Sequence, residues 1–162
     1  KNSSIKFIKK FTNLVVLRTF SKAIGMAGIR AGYIISNKKN IERLYTFRPM
    51  YEISSISCLA IKEVIKNYGL VKKYITQTEI GKKYLIRELR KLNLKSFETY
   101  SNFILVDFRN FTLASKVFYQ LHKKNILSRR APNIQACANS LRFTLGPKKY
   151  MQTLIKEIKK II

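Results

Sequence analysis

Two short apolar runs, Leu14–Leu17 and Tyr33–Ile35, flank a polar centre near the start of the chain. Both are bounded by turn residues, and Val and Ile dominate them, so they predict buried strands. Ahead of them, Lys1–Phe11 mixes lysines with Ile5, Phe7, Ile8 and Phe11, the pattern of the end of an amphipathic helix. After a polar break at Asn37-Lys38-Lys39, a helix is expected over Asn40–Phe47, capped by Asn37 or Asn40 and stopped by Pro49. Helical spacing of Ile56, Leu59, Ala60, Val64 and Ile65 predicts a second helix over Ser54–Asn67. Tyr68-Gly69 breaks that pattern, and Leu70–Lys91 reads as one long amphipathic helix with Gly81 inside it.

Beyond Asn93 the period changes. Ser96–Tyr100 and Phe103–Phe108 are strand-like, and Thr112 is expected to cap a helix running through Lys124. Ile126–Ser128 reads as a short strand and Leu141–Gly146 as the last one. Pro147 suits a helix start, where its missing N–H costs nothing. The closing helix turns Met151, Leu154, Ile155, Ile158 and Ile161 inward and reaches Ile162.

The 162 residues suffice for a domain of ordinary size, and a 46% hydrophobic content supports a packed core over disorder. No apolar run approaches the ~20 residues of a membrane span. The net charge of +25 would ordinarily point to nucleic acid or an anionic surface. Here the basic residues are spread along the whole chain in pairs such as Lys9-Lys10, Lys72-Lys73 and Lys159-Lys160, on the solvent faces of the expected helices. The chain is also rich in Ile, Asn and Tyr and lacks Trp, so AT-biased codon usage accounts for the lysines and no nucleic-acid partner is expected. Cys58 and Cys137 form neither a metal spacing nor a CxxC pair, and His122 has no His or Cys near it; no metal site is expected, and a reducing cytosol is the default compartment.

The chemistry-bearing residues gather between the first two strands. Thr19, Ser21, Lys22 and Arg30 sit there with Gly25, Gly28 and Gly32 among them. Hydroxyls and a guanidinium share a phosphate well, because arginine offers a planar bidentate fork. Glycines let backbone approach a ligand or another strand. A second feature is Arg142 inside the apolar run Leu141–Leu145, read as an inward arginine that is costly to bury without an anion.

Thr19-Phe20-Ser21-Lys22-Ala23, followed by Gly28-Ile29-Arg30 and Gly32-Tyr33, closely resembles the cofactor-lysine motif of fold-type-I aminotransferases that use pyridoxal 5'-phosphate. The likeness is most specific to the histidinol-phosphate aminotransferase family. It implies an α/β fold: residues 1–50 ending the mixed sheet of the large cofactor-binding domain, linking helices over 51–91, and a small C-terminal domain over 92–162. Lys22 is then the lysine that bonds the cofactor and shuttles protons. Ser21 and Arg30, eight residues after Lys22, hold the cofactor phosphate, and Thr19 faces it too. A lysine amine serves as nucleophile or base only when unprotonated, while the cofactor supplies the electron sink.

The same resemblance assigns Arg142, assisted by Arg129 thirteen residues earlier, to the anion of the substrate. Arg130 stands where an acidic residue is frequent. Ser101-Asn102-Phe103 is similar to a family signature in which Asn102 orients backbone near the substrate; a turn-forming asparagine is the alternative. Arg48-Pro49-Met50-Tyr51-Glu52-Ile53 departs from the Pro-Tyr-Asn-type sequence usual there, leaving either a different substrate group or a plain loop.

The reaction implied is amino transfer between a phosphorylated amino substrate and 2-oxoglutarate, in histidine biosynthesis, by a cytoplasmic homodimer with no membrane partner. Phosphothreonine decarboxylases share these motifs and are the rival reading; an inactive basic remnant is the distant one. Family members are about twice this length, and the aspartate that meets the pyridine nitrogen has no counterpart here. A missing N-terminal half is therefore expected, as is inactivity of these residues alone.

Overall fold

The structure, a computed structural model, describes residues 3–130 and 135–162. The chain divides between Val71 and Lys72 into two compact units.

In the first unit, β1 (Val16–Thr19) pairs antiparallel with β2 (Gly32–Ile35), with Thr19 opposite Gly32 and Arg18 opposite Tyr33. A Cβ on Gly32 would lie 2.6 Å from the Arg18 carbonyl oxygen, so only glycine permits this closeness. The expected strands are present, shifted toward the polar centre, but they are not buried within the unit: Leu17 is 72% exposed, and Tyr33 and Ile34 are exposed too. An apolar strand is buried only where another layer covers it, which composition does not specify. Before β1, the expected helix end is a single 3-10 turn over Ser4–Phe7, capped by the Ser3 hydroxyl. Helix α1 (Lys38–Tyr45) starts at Asn37, whose side chain accepts from the Asn40 N–H; this selects between the two expected caps. Helix α2 (Ser55–Lys66) starts at Ser54 in the same way, through the Ser57 N–H.

Helix α3 (Tyr68–Lys91) runs from the first unit into the second. The second unit then carries β3 (Lys95–Phe97), β4 (Phe103–Asp107), α4 (Phe111–Lys123), β5 (Arg129–Arg130), β6 (Ser140–Thr144) and α5 (Lys148–Ile161). The strands form one antiparallel sheet in the order β3-β4-β6-β5. Alternation puts Ile104, Val106, Leu141 and Phe143 on one face, where they pack with Leu85 and Leu89 of α3, Val117 and Leu121 of α4, and the five expected inward residues of α5. Each such buried side chain contributes about 1.5–3 kcal/mol relative to exposure. Gly81 is explained by packing: a Cβ there would collide with the Gly146 carbonyl oxygen in the β6–α5 connection.

Several boundaries differ from expectation: Tyr68 and Gly69 begin α3 and do not break a helix, β3 stops at Phe97, and β6 begins one residue earlier and ends at Thr144. The α4 cap is Asn110, accepting from the Leu113 N–H, and not Thr112; Asn110 has the extended backbone a cap needs. The short strand is Arg129–Arg130 and not Ile126–Ser128, because Ile126 is still tied to the end of α4 through its N–H to the Leu121 carbonyl. Among the described residues no helix is long and apolar enough to cross a membrane, and no three His, Cys, Asp or Glu side chains gather as metal ligands.

Candidate active site

The end of β1 and its connection to β2 carry four of the predicted site residues. Phe20 and Ala31, both buried, close its base through the Phe20 N–H to the Ala31 carbonyl at 3.2 Å. Inside that closure the Met26 N–H donates to the Phe20 carbonyl at 3.0 Å and the Gly25 N–H to the Lys22 carbonyl at 2.9 Å. Gly25 has φ +78°, a conformation that glycine adopts without steric cost. The connection is therefore a folded loop that fixes Thr19, Ser21 and Lys22 at the end of one strand and Arg30 ahead of the other.

The donors are poised for an anion. The Thr19 hydroxyl oxygen accepts from the Ser21 N–H at 3.0 Å, which leaves its own proton free to donate. Arg30 follows the short turn Ala27–Ile29 and adopts φ 50°, a left-handed conformation that costs a non-glycine residue about 1–2 kcal/mol. Its Nη1 donates to the Ala27 carbonyl at 3.0 Å, and the rest of the guanidinium fork remains available. Among the described residues no carboxylate pairs with Lys22 or Arg30. Lys22 is exposed and Ser21 half-buried.

Arg142, Arg129 and Asn102 belong to the second unit. Arg142 is not inward in the sense expected: Leu141 and Phe143 take the core face, and Arg142 projects from the opposite one, half-buried. Its guanidinium lies 5.0 Å from the centre of the Phe103 ring, a favourable cation–aromatic contact. Arg129 is its direct cross-strand partner, so two like charges face each other. Such pairs are destabilising unless an anion lies between them, and among the described residues no carboxylate pairs with either.

Arg130, one residue on, points the other way. It lies over Phe111, Phe118 and Tyr119 of α4 and donates to the Ser115 hydroxyl at 2.9 Å, a packing role that an acidic residue does not fill. Asn102 is exposed; its carbonyl accepts from the Leu145 N–H at 2.8 Å, tying the start of β4 to the end of β6.

Ser54 and Ser57 escaped the sequence reading as site residues. The Ser57 hydroxyl donates to the Ile29 carbonyl at 2.9 Å, directly before Arg30. The sequence signal is a serine at the expected start of the helix, a residue type that caps helices, and it says nothing of what Ser57 touches.

A family model described as aminotransferase class I and II matches residues 2–158. The histidinol-phosphate aminotransferase of Buchnera aphidicola subsp. Schizaphis graminum is 34% identical over 166 aligned positions, covering 100% of this chain and 46% of its own length. The solved histidinol-phosphate aminotransferase of Clostridium acetobutylicum superposes with a TM-score of 0.86 at 25% identity, over 98% of this chain and 48% of that one. The enzyme of that name from Sinorhizobium meliloti, solved in complex with pyridoxal-5'-phosphate, shares the fold with a TM-score of 0.81 at 21% identity, over 98% of this chain and 44% of that one. The chain thus spans about half the length of the curated relatives it matches. Its architecture is the α/β fold type I, and with a family model matching almost all of it, the chain belongs to the class I and II aminotransferases.

Proposed function

We propose that the protein carrying these residues is a pyridoxal-phosphate aminotransferase that moves an amino group between histidinol phosphate, or a closely similar phosphorylated amine, and 2-oxoglutarate, as a cytoplasmic homodimer in histidine biosynthesis. The observation that carries this reading is the donor set on one closed loop: an amine, two hydroxyls and a guanidinium without a carboxylate partner among the described residues. That set fits a ligand bearing both a carbonyl and a phosphate. Lys22 would hold the cofactor's carbonyl carbon through Nζ, and Ser21, Thr19 and Arg30 would donate to its phosphate oxygens. When bound, the cofactor would supply the electron sink for the reaction at the substrate's Cα.

The remaining work falls to the chain's own groups. In its free form the Lys22 Nζ would take the proton from the substrate's Cα and deliver it on the cofactor side and not back to Cα, so that Cα can leave as a carbonyl; this requires the amine to be unprotonated. Arg142, with Arg129 opposite, holds the substrate's anionic group, and the Phe103 ring keeps the Arg142 guanidinium in place. Asn102 orients backbone at the start of β4.

The test uses the full gene product. Titration with pyridoxal phosphate is followed by visible absorption in wild type and Lys22→Ala. A band of the lysine-bound cofactor in wild type only is the expected result; no band in wild type with cofactor in excess overturns the reading. Histidinol phosphate with 2-oxoglutarate then yields glutamate, whereas carbon dioxide released from phosphothreonine would move the protein to the decarboxylases.

A further inference from the structure

Among the described residues, Ser57 is the one buried polar side chain of the first unit, 6% exposed. Its hydroxyl lies 2.9 Å from the Ile29 carbonyl and 2.9 Å from the Ser54 hydroxyl, and its N–H lies 3.1 Å from the same Ser54 oxygen. A carbonyl only accepts, so the single Ser57 hydroxyl proton goes to Ile29. Ser54 must then donate its own proton to the Ser57 oxygen. The result is a directed chain, Ser54 O–H to Ser57 and Ser57 O–H to Ile29, mounted on the first turn of α2.

The peptide unit at the end of this chain joins Ile29 to Arg30. Its carbonyl is held by Ser57, and its N–H is directed at the Ala27 carbonyl, 3.4 Å away. With both polar atoms held, the peptide plane resists rotation, and the left-handed φ of 50° at Arg30 is imposed from outside. Without the Ser57 donor only the 3.4 Å contact of the Arg30 N–H restrains the plane, and Arg30 relaxes toward the negative φ preferred by a residue with a side chain. That relaxation moves the guanidinium from the place where its Nη1 donates to the Ala27 carbonyl.

We infer that Ser57, oriented by Ser54, is a positioning residue that holds Arg30 in its left-handed conformation and so aims the guanidinium at the cofactor phosphate. The inference rests on the reading of Arg30 as a phosphate anchor. Ser57 touches neither cofactor nor substrate in this role, and its whole effect on binding passes through Arg30.

The experiment compares Ser57→Thr with Ser57→Val in the full gene product, two side chains of one shape that differ in the hydroxyl. Dissociation constants for pyridoxal phosphate are read by visible titration, in the wild-type background and in Arg30→Ala. Thr is expected to bind as wild type does, and Val about five- to tenfold more weakly, the worth of one net hydrogen bond. In Arg30→Ala the two bind alike. Should the added methyl group prevent folding, Ser57→Ala against wild type in the same two backgrounds makes the comparison. Equal binding by Thr and Val with Arg30 present overturns the inference, as does a Val deficit of unchanged size once Arg30 is gone. An Arg30→Ala protein with wild-type affinity, or a wild type that binds no cofactor, instead removes the parent reading and this one with it.

Discussion

The two units hold their chemistry-bearing residues by different means. In the second, Arg129 and Arg142 stand on adjacent strands whose other face seals a core containing Phe108, Leu85, Ile104 and Ile158, all fully buried. In the first, the described residues bury only Phe20, Ala31 and Ser57, and the loop bearing Lys22 and Arg30 is shaped by backbone closures and a serine relay. A sheet backed by a core sets side-chain direction through alternation and withstands local change. A loop held by hydrogen bonds is set one bond at a time. Damage to the core should therefore appear as lost stability, and damage to the loop as lost ligand affinity at nearly constant stability.

The largest test of that contrast pairs Phe108→Ala with Leu17→Ala. Phe108 has no exposed surface, and its ring packs edge-on against Phe143. Truncating it is expected to cost about 3–5 kcal/mol. Leu17 is largely exposed within its unit, and in a protein of these 162 residues alone its truncation should stay within about 0.5 kcal/mol. Urea unfolding followed by circular dichroism measures both, and comparable losses would erase the distinction between the units.

A second pair sets one glycine against another. Gly81 lies against the backbone of the β6–α5 connection and Gly32 against the Arg18 carbonyl across β1–β2. Gly81→Ala forces α3 from its seat and should lower stability by about 1–3 kcal/mol. Gly32→Ala pries open the strand pair beside Thr19. It should weaken pyridoxal phosphate binding several-fold while leaving the main thermal transition where it was. A Gly32→Ala protein that binds the cofactor normally would show that the strand pair does not hold the loop.

How much of this was legible in the sequence follows the same divide. The stripe Met151, Leu154, Ile155, Ile158 and Ile161 was readable because helical period and burial coincide there, and all five are buried. The long helix over α3 and the strand at β4 were readable for the same reason. Asn110 was missed as a cap because Thr112 is also a capping type, and only backbone conformation decides between them. Arg142 is expected inward from its place in an apolar run, whereas the strand alternates and turns it to the face opposite Leu141 and Phe143. The four residues of the loop came from a resemblance in motif, not from periodicity. Ser57 lay beyond reach because its partner, Ile29, is 28 residues away, and no local rule links them.

Acid sharpens the contrast from the electrostatic side, since both strongly engaged carboxylates lie in the second unit. The Glu157 carboxyl is drawn from its ordinary 4.5 to about 2, first by the hydrogen bond from Lys124 and then by that from Lys160. Glu88 is also lowered, chiefly by Lys91 and further by Lys159, against burial that pulls it up. A carboxyl whose folded pKa is depressed adds stability that is complete above its unfolded pKa and is lost as pH falls toward the folded one. The second unit should thus weaken between about pH 4.5 and 2. Lys124→Met removes the largest cause and should move acid unfolding, followed by circular dichroism, to higher pH; Lys160→Met should move it less. An unchanged midpoint in Lys124→Met would mean that the pair does not contribute.

The smallest expected effect is the one most diagnostic of function. Arg129 and Arg142 oppose each other across β5 and β6, and like charges so placed cost about 0.2–1 kcal/mol. Arg129→Gln removes the repulsion and should stabilise the ligand-free protein by that amount, read as a shift of the urea midpoint. Added inorganic phosphate should reverse the order, because an anion between two guanidinium groups binds the folded state and stabilises it by mass action. Wild type then gains more than the variant does. If Arg129→Gln is instead less stable without phosphate, Arg129 contributes to the sheet and not to an anion site. A gain without phosphate and a deficit with it would identify a sheet that keeps a repulsive pair for the ligand it holds.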